Sequence, residues 1–397
     1  MTREQRAFLA LLTGFIEDSE DAELPADLDW EKLYEIAAQQ SLTGVCYVQL
    51  KRIRKTGIPI PDSVMEQFHH DFLGEVYFSA NRTACLSDVS KQFDQEGVRF
   101  YPFKGWVVKD YWPLPELRSM GDLDLLIRPA DRQRSDLIMK RLGYRKFIDN
   151  HAVWTYLERD IVFEIHDHMF YENLANQVDY RGYFDQIWDS SDPEWNENRH
   201  FLYLMTHMAK HTINKGVGFR YYLDLVFFCR GAAGQLNWKW IASELKKLQL
   251  YDYTCTCFAF CRKWFGVNMP LISGELSDSF YAAATQKMFR DGTFGLSNRD
   301  NEASISAKEM KRSRMPYWVT AIRLTLQKLF PSYEDMQLIP WYRFVDGRPW
   351  LMPAAWVYRW VYILRHKRKH GAQLLTEPYL KKTVIERREH LIQDWGL

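Results

Sequence analysis

The chain has 397 residues, of which 47% are hydrophobic and 26% charged, with a formal net charge of +1. These values fit a globular protein of two or three units with a large core. They give no global electrostatic case for nucleic acid as a partner.

The first ninety or so residues read as helices. MTREQRAFLALLTGF places Thr2 and Gln5 at capping-box spacing ahead of an apolar run, a helix start rather than a signal peptide. A second helix starts at Asp29, and Pro61 opens a long helical pattern that runs to about Phe93. The character then changes. GVRFYPF is a short β-rich run, KGWVVKDYW gives one or two helical turns ended by Pro113 and Pro115, and DLDLLI alternates up to Arg128-Pro129. PADRQRSDLIMKRLG is a helix with proline at its start and Gly143 as its stop. YRKFI, AVWTYLE and IVFEIHDHMF follow as short strands, which suggests a small mixed sheet with helices packed against it.

From about residue 195 the pattern is helical again. NRHFLYLMTHMAKHTI, RYYLDLVFFCRGA and NWKWIASELKKLQ are amphipathic, a polar loop runs through about 291–305, and two more helices are expected at 315–330 and 352–370. Cys255, Cys257 and Cys261 in CTCFAFC lack the matched second cluster a metal site needs, so they read as buried helix thiols. No apolar run reaches membrane-spanning length, since Arg359 interrupts AAWVYRWVYIL. A cytoplasmic protein with reduced thiols is expected.

The chemistry concentrates in RSMGDLDLLIRP, Arg118 to Pro129. Asp122 and Asp124 are two apart on an expected strand, so both carboxylates face one way. Like charges so placed raise each other's pKa unless a cation sits between them. Glu164 in IVFEIHDHMF is a candidate third acid, with Asp160 and Asp167 as competitors. Three carboxylates could hold two metals about 3.5–4 Å apart, and oxygen ligands favour Mg²⁺ or Mn²⁺. Lys104 and Gly105, at the start of a short helix, and Arg118, four residues before Asp122, are candidate phosphate binders. His166 shares a strand face with Glu164 and has two readings, an active-site group and a satisfied structural histidine. His207 and His211 share a helix face, and with Lys210 they either line a pocket or pack on the core. HMAKH lacks the glutamate of a zinc protease. Arg220 and Asp224 share a helix face and read as a buried salt bridge, Tyr101 and Trp106 as core, and RHKRKH (365–370) as a solvated helix end.

The run FKGWVVKDYWPLPELRSMGDLDLLIRPAD, the Leu-Gly-Tyr that follows it, and FEIHDHMF together resemble an uncharacterised bacterial nucleotidyltransferase family of the polymerase-beta-like superfamily. LMTHMAKH, RYYLDLVFF, LFPSYEDM and PWLMPAAWVYR extend the resemblance over most of the chain, with its tight part at about 100–170. The resemblance implies an α+β fold: a small mixed β-sheet nucleotidyltransferase core at 93–192, flanked by an N-terminal helical region at 1–92 and a C-terminal one at 193–397. It implies metal binding by Asp122 and Asp124 with Glu164, and phosphate binding by Lys104, Gly105, Arg118 and Gly121. The partners are then an NTP and an unidentified acceptor hydroxyl or phosphate. One departure is that Trp106 follows Gly105 where the wider superfamily has a Gly-Ser or Gly-Gly pair. Two other readings are a non-catalytic nucleotide- or partner-binding module of the same fold, and a helical scaffold in a polysaccharide- or peptide-modification pathway.

Overall fold

The computed structural model describes residues 1–20, 24–25, 27–149, 153–171, 174, 176–188, 196–214, 216–271, 274–293, 319, 322–323, 326–327, 329–333, 336, 340–345, 347–366, 390 and 392–397. Most of the expected polar loop at 291–305, part of the helix at 315–330 and the last residues of RHKRKH lie outside them. The chain forms two compact units. One comprises 1–147, 152–296 and 394–397, and the other 148–151 and 297–393. In the second, Met336, Tyr342, Val345, Met352 and Ala355 form a small core beside a helix at Met352–His366. Among the described residues no helix is long and apolar enough to cross a membrane.

The first unit opens with four helices, α1 (Arg3–Glu17), α2 (Trp30–Gln39), α3 (Thr43–Lys55) and α4 (Asp62–Gln95). The expected capping box is present: Gln5 N donates to Thr2 Oγ1 at 3.2 Å, and Thr2 N donates to Gln5 Oε1 at 3.0 Å. Asp29 caps α2 through Lys32 N at 3.2 Å. The sequence gives no start signal for α3, whose N-cap is Leu42 with no side-chain bond. Burial holds α3 in place, with Val45, Cys46, Leu50 and Ile53 fully enclosed, and tertiary packing of this kind outweighs weak local propensity.

The sheet has five strands, β1 (Phe100–Pro102), β2 (Leu123–Ile127), β3 (Arg145–Asp149), β4 (Val153–Glu158) and β5 (Ile161–His166), in the order β1-β2-β5-β4-β3. β1 runs antiparallel to β2, β2 parallel to β5, and β5 antiparallel to β4. One turn of helix, α5 (Gly105–Val108), follows β1, and α6 (Arg132–Arg141) follows β2. Leu123, Leu125, Ile127, Phe163 and Ile165 point to one face, where they pack on Leu86, Val89 and Phe93 of α4 and Ile138 and Met139 of α6. Side chains alternate along a strand, so Asp124, Glu164 and His166 face the other way.

Downstream come α7 (Tyr180–Asp185), α8 (Glu197–Asn214), α9 (Phe219–Gly231), α10 (Trp238–Lys247), α11 (Tyr251–Phe265) and α12 (Asp278–Asp291). The fold is α+β, with helices on both sides of a small mixed sheet. Cys255, Cys257 and Cys261 are buried on α11.

One buried ion pair ties the segment before β2 to α9. Arg118 donates to Asp224 in a fork, Nε to Oδ1 at 3.1 Å and Nη2 to Oδ2 at 2.8 Å, and Trp112 Nε1 adds a third bond to Oδ1 at 2.8 Å. The expected Arg220–Asp224 pair is therefore replaced by Arg118–Asp224, because the incoming segment reaches Asp224 with a fork and an indole together. A Cβ on Gly105 would overlap the Arg118 guanidinium, so glycine there is a packing requirement of this pair.

Two outcomes test these ties. Removing one partner of a buried pair strands the other charge, so Asp224→Ala should lower the unfolding free energy by about 3–5 kcal/mol. A loss below about 1 kcal/mol in a denaturant titration would reduce the pair to the rank of a surface salt bridge. The second concerns Glu75 on α4, which accepts from Thr43 Oγ1 at 3.3 Å and from the Gly44 amide. Burial raises its pKa from 4.5 to about 8. The folded chain thus keeps a proton that the unfolded chain releases, and this stabilisation is lost as pH rises from about 4.5 through about 8. Melting curves of wild type and Glu75→Gln should diverge over that window, the wild type losing ground as pH rises. Parallel curves would show Glu75 ionised in the fold.

Candidate active site

The parallel pairing of β2 and β5 sets Asp124 directly opposite Glu164, and Leu126 opposite His166. With all three polar side chains on one sheet face, their ligand atoms converge within 4.8 Å of one another. His166 Nε2 lies 2.8 Å from Asp124 Oδ1 and 3.4 Å from Glu164 Oε2. Asp124 and His166 are buried, while Glu164 is half-buried and opens to a cavity. Asp122, half-buried, sits one residue ahead of β2 and lines the same cavity.

Lys104 completes the cluster. Phe103 N donates to Asp124 O at 3.2 Å, extending the β1–β2 ladder by one residue, and Lys104 follows directly with its ammonium turned to Asp124. Its backbone sits at φ 53° and ψ −126°, a region that non-glycine residues rarely enter and that costs about 1–3 kcal/mol. Its ammonium lies 2.5 Å from Asp124 Oδ1, 3.4 Å from His166 Nε2 and 3.8 Å from Glu164 Oε2. The group expected to meet a phosphate is thus held among the acids.

The electrostatics follow from this placement. Asp122 is raised to about 6, first by the charge of Asp124 and then by burial. Burial also opposes ionisation of Asp124, but Lys104 and the hydrogen bond from His166 outweigh it and hold that carboxyl below its usual range. Burial likewise works against the Lys104 ammonium, and Asp124 more than compensates, so its pKa rises. The cation that paired aspartates require is supplied by the chain itself.

The cavity has a volume of about 330 Å³. Lys104, Gly105, Arg118, Gly121, Asp122, Asp124 and Glu164 line it from the sheet side, and His207, Lys210 and His211 of α8 line it from the helical side. Of the expected metal, phosphate and pocket residues, His166 is outside that lining. It is buried beneath Asp124, with Phe103 edge-on at 5.1 Å. Arg118 touches the cavity with its guanidinium forked on Asp224, and the close approach of that guanidinium accounts for Gly105. The competitors of Glu164 lie elsewhere: Asp167 is bound by Arg132 at 2.8 Å, and Asp160 sits in the β4–β5 turn. The Nε2 atoms of His207 and His211 are 2.9 Å apart, so a single proton is shared between them or a cation joins them. Burial, then the neighbouring His211 and Lys104, pushes the pKa of His207 well down.

Two cations here were not assigned to the site from the sequence. Arg220 of α9 lines the cavity. Arg82 of α4 is lowered by burial, which the nearby Asp122 opposes only in part. Arg82 lies 40 positions from Asp122 with no motif around it, so nothing local signals it. For Arg220 the neighbouring Asp224 offered a ready but incorrect partner.

The sheet, the acid cluster and both cavity-lining helices fall within one stretch of chain. No curated protein and no solved structure matches the chain. A family model described as an uncharacterised nucleotidyltransferase matches residues 26–266, more than half of the chain and all of that stretch, and the chain belongs to this nucleotidyltransferase family.

Proposed function

We propose that this chain transfers a nucleoside monophosphate from an NTP to an acceptor hydroxyl or phosphate with release of pyrophosphate, in the presence of Mg²⁺ or Mn²⁺. The observation that carries the reading is the register of Asp124 against Glu164 on parallel strands, with Asp122 at the strand mouth, all facing one cavity. The donor chemistry fits a divalent cation: carboxylates converge on a point already occupied by the positive charge of Lys104. Asp122, Asp124 and Glu164 would hold the metal, and hard oxygen donors favour Mg²⁺ or Mn²⁺. When bound, the ion neutralises developing phosphate charge and lowers the pKa of the acceptor oxygen.

The remaining work falls to the chain. The acceptor oxygen forms a bond to the α-phosphorus as the bond to the β-phosphate oxygen breaks, and pyrophosphate leaves. Glu164 is half-buried, faces the cavity and takes the proton from the acceptor. His166 touches no substrate and holds Asp124 in one rotamer through its 2.8 Å hydrogen bond, a positioning role. The α8–α9 wall excludes water and shapes the space for the acceptor.

A second reading is also favoured by one observation. The ammonium of Lys104 already balances the acids, as expected of a module that binds partner or nucleotide without metal. Turnover separates the two. Incubation with each labelled NTP and Mg²⁺ or Mn²⁺ should give pyrophosphate and a labelled acceptor, in lysate fractions or on the chain itself. Asp122→Asn and Asp124→Asn should each lower turnover by about 10²-fold or more with the thermal melt largely kept. Metal-independent nucleotide binding and no product would favour the module, and unchanged turnover in Asp124→Asn would remove the assignment. His166→Ala should weaken metal affinity or turnover by about 10–100-fold, and full activity would restrict His166 to the core.

A further inference from the structure

The cavity is lined by four acids, Asp122, Asp124, Glu164 and Asp224, and its cations are not equally matched. Lys104 is paired with Asp124 and Arg118 with Asp224. Arg220, in the first turn of α9, is different. It is 6% exposed, its Nη1 donates to the main-chain oxygen of Ser119, and its Nε is buried without a hydrogen-bond partner. Among the described residues no carboxylate forms an ion pair with it, and the ring of Tyr221 lies 5.3 Å from the guanidinium carbon. A guanidinium stays charged at any physiological pH. Burial and then the neighbouring Arg118 both act against its charge. A buried cation with no ion-pair partner is expensive to keep. Asp224 and Asp122 offset part of that cost from a distance, and an anion entering the cavity that Arg220 lines would supply the ion-pair partner it lacks.

We infer that Arg220 anchors a polyphosphate chain in the cavity, its planar fork receiving phosphate oxygens while the acids of β2 and β5 face the reacting end. The placement supports this. The Ser119 oxygen that fixes Arg220 lies three residues upstream of Asp122, so the guanidinium is tethered beside the acid cluster. The first amide of α9 is already taken, since Phe219 N donates to Gln40 Oε1 at 3.1 Å. The helix end is therefore capped by the chain, and the anion site rests on the side chain. Guanidinium forks match phosphate oxygens in pairs, and Arg220 supplies the anchor that the missing Gly-Ser pair leaves open. The identity of the polyphosphate as the tail of an NTP rests on the nucleotidyltransferase reading, whereas the anion site does not.

The test uses the full chain without metal, in chelator, with inorganic tripolyphosphate as the probe. Wild type should bind it by calorimetry and melt at a higher temperature in its presence. Arg220→Met should melt at or above wild type when no anion is present, gain nothing from the probe, and bind it about tenfold or more weakly. Arg220→Lys keeps the charge but loses the fork, and should bind with intermediate affinity. It also serves as the readout if the methionine variant does not fold. Equal binding by wild type and Arg220→Met, or no binding by wild type, would overturn the inference. So would anion-free melting of both variants well below wild type, which would assign the guanidinium to the fold. Arg220-dependent binding without NTP turnover would keep the anion site while removing nucleotidyl transfer.

Discussion

The contact between the Lys104 ammonium and Asp124 is the interaction on which the rest of the site depends. β2 is buried along its whole length, and a carboxylate in the middle of such a strand is untenable without a counter-ion. Lys104 provides that charge from a backbone conformation that the L-configuration disfavours. The strain is local and the gain is shared, because the same ammonium lies within 4 Å of Glu164 and His166. The segment that presents Lys104 is fixed in turn by Gly105, which admits the Arg118 guanidinium, and by Asp224, which holds it. A run of short-range requirements thus leads from one lysine to a helix more than a hundred residues away.

Both walls of the cavity carry charge of both signs. The sheet side carries Asp122, Asp124 and Glu164 with Lys104 and Arg118 among them, and the helical side carries Arg220, Lys210 and the histidine pair beside Asp224. The proposed transfer uses both signs, because a polyphosphate needs positive charge and a metal needs an acid cluster. Asp122 is raised beside a depressed Asp124 because Asp122 meets the charge of Asp124 first, whereas Asp124 is bonded to Lys104 and His166.

Much of this was legible in the sequence, and the remainder fails for identifiable reasons. Alternation in DLDLLI and IVFEIH fixed which side chains share a face, and the strands are where those patterns place them. The parallel register that sets Asp124 against Glu164 was not readable, because the strands are 40 residues apart and pairing depends on the whole sheet. α3 escaped notice because its N-cap is Leu42 and its stability comes from burial. The ion pairing of Arg118 was obscured because a guanidinium near an acidic motif suits a phosphate and a buried carboxylate equally well. Arg118 forks on Asp224, 106 positions away, while still lining the cavity, and no local pattern announces a partner at that separation.

The most direct test is to locate the metal. Crystals grown with Mn²⁺ and a non-hydrolysable NTP analogue can be measured at the manganese edge. Anomalous density within about 2.2 Å of the carboxylate oxygens of Asp124 and Glu164, with the analogue's phosphates directed into the cavity beneath α9, is the expected result. Manganese bound elsewhere, or nucleotide bound with no metal on these acids, would contradict metal-dependent nucleotidyl transfer at this site.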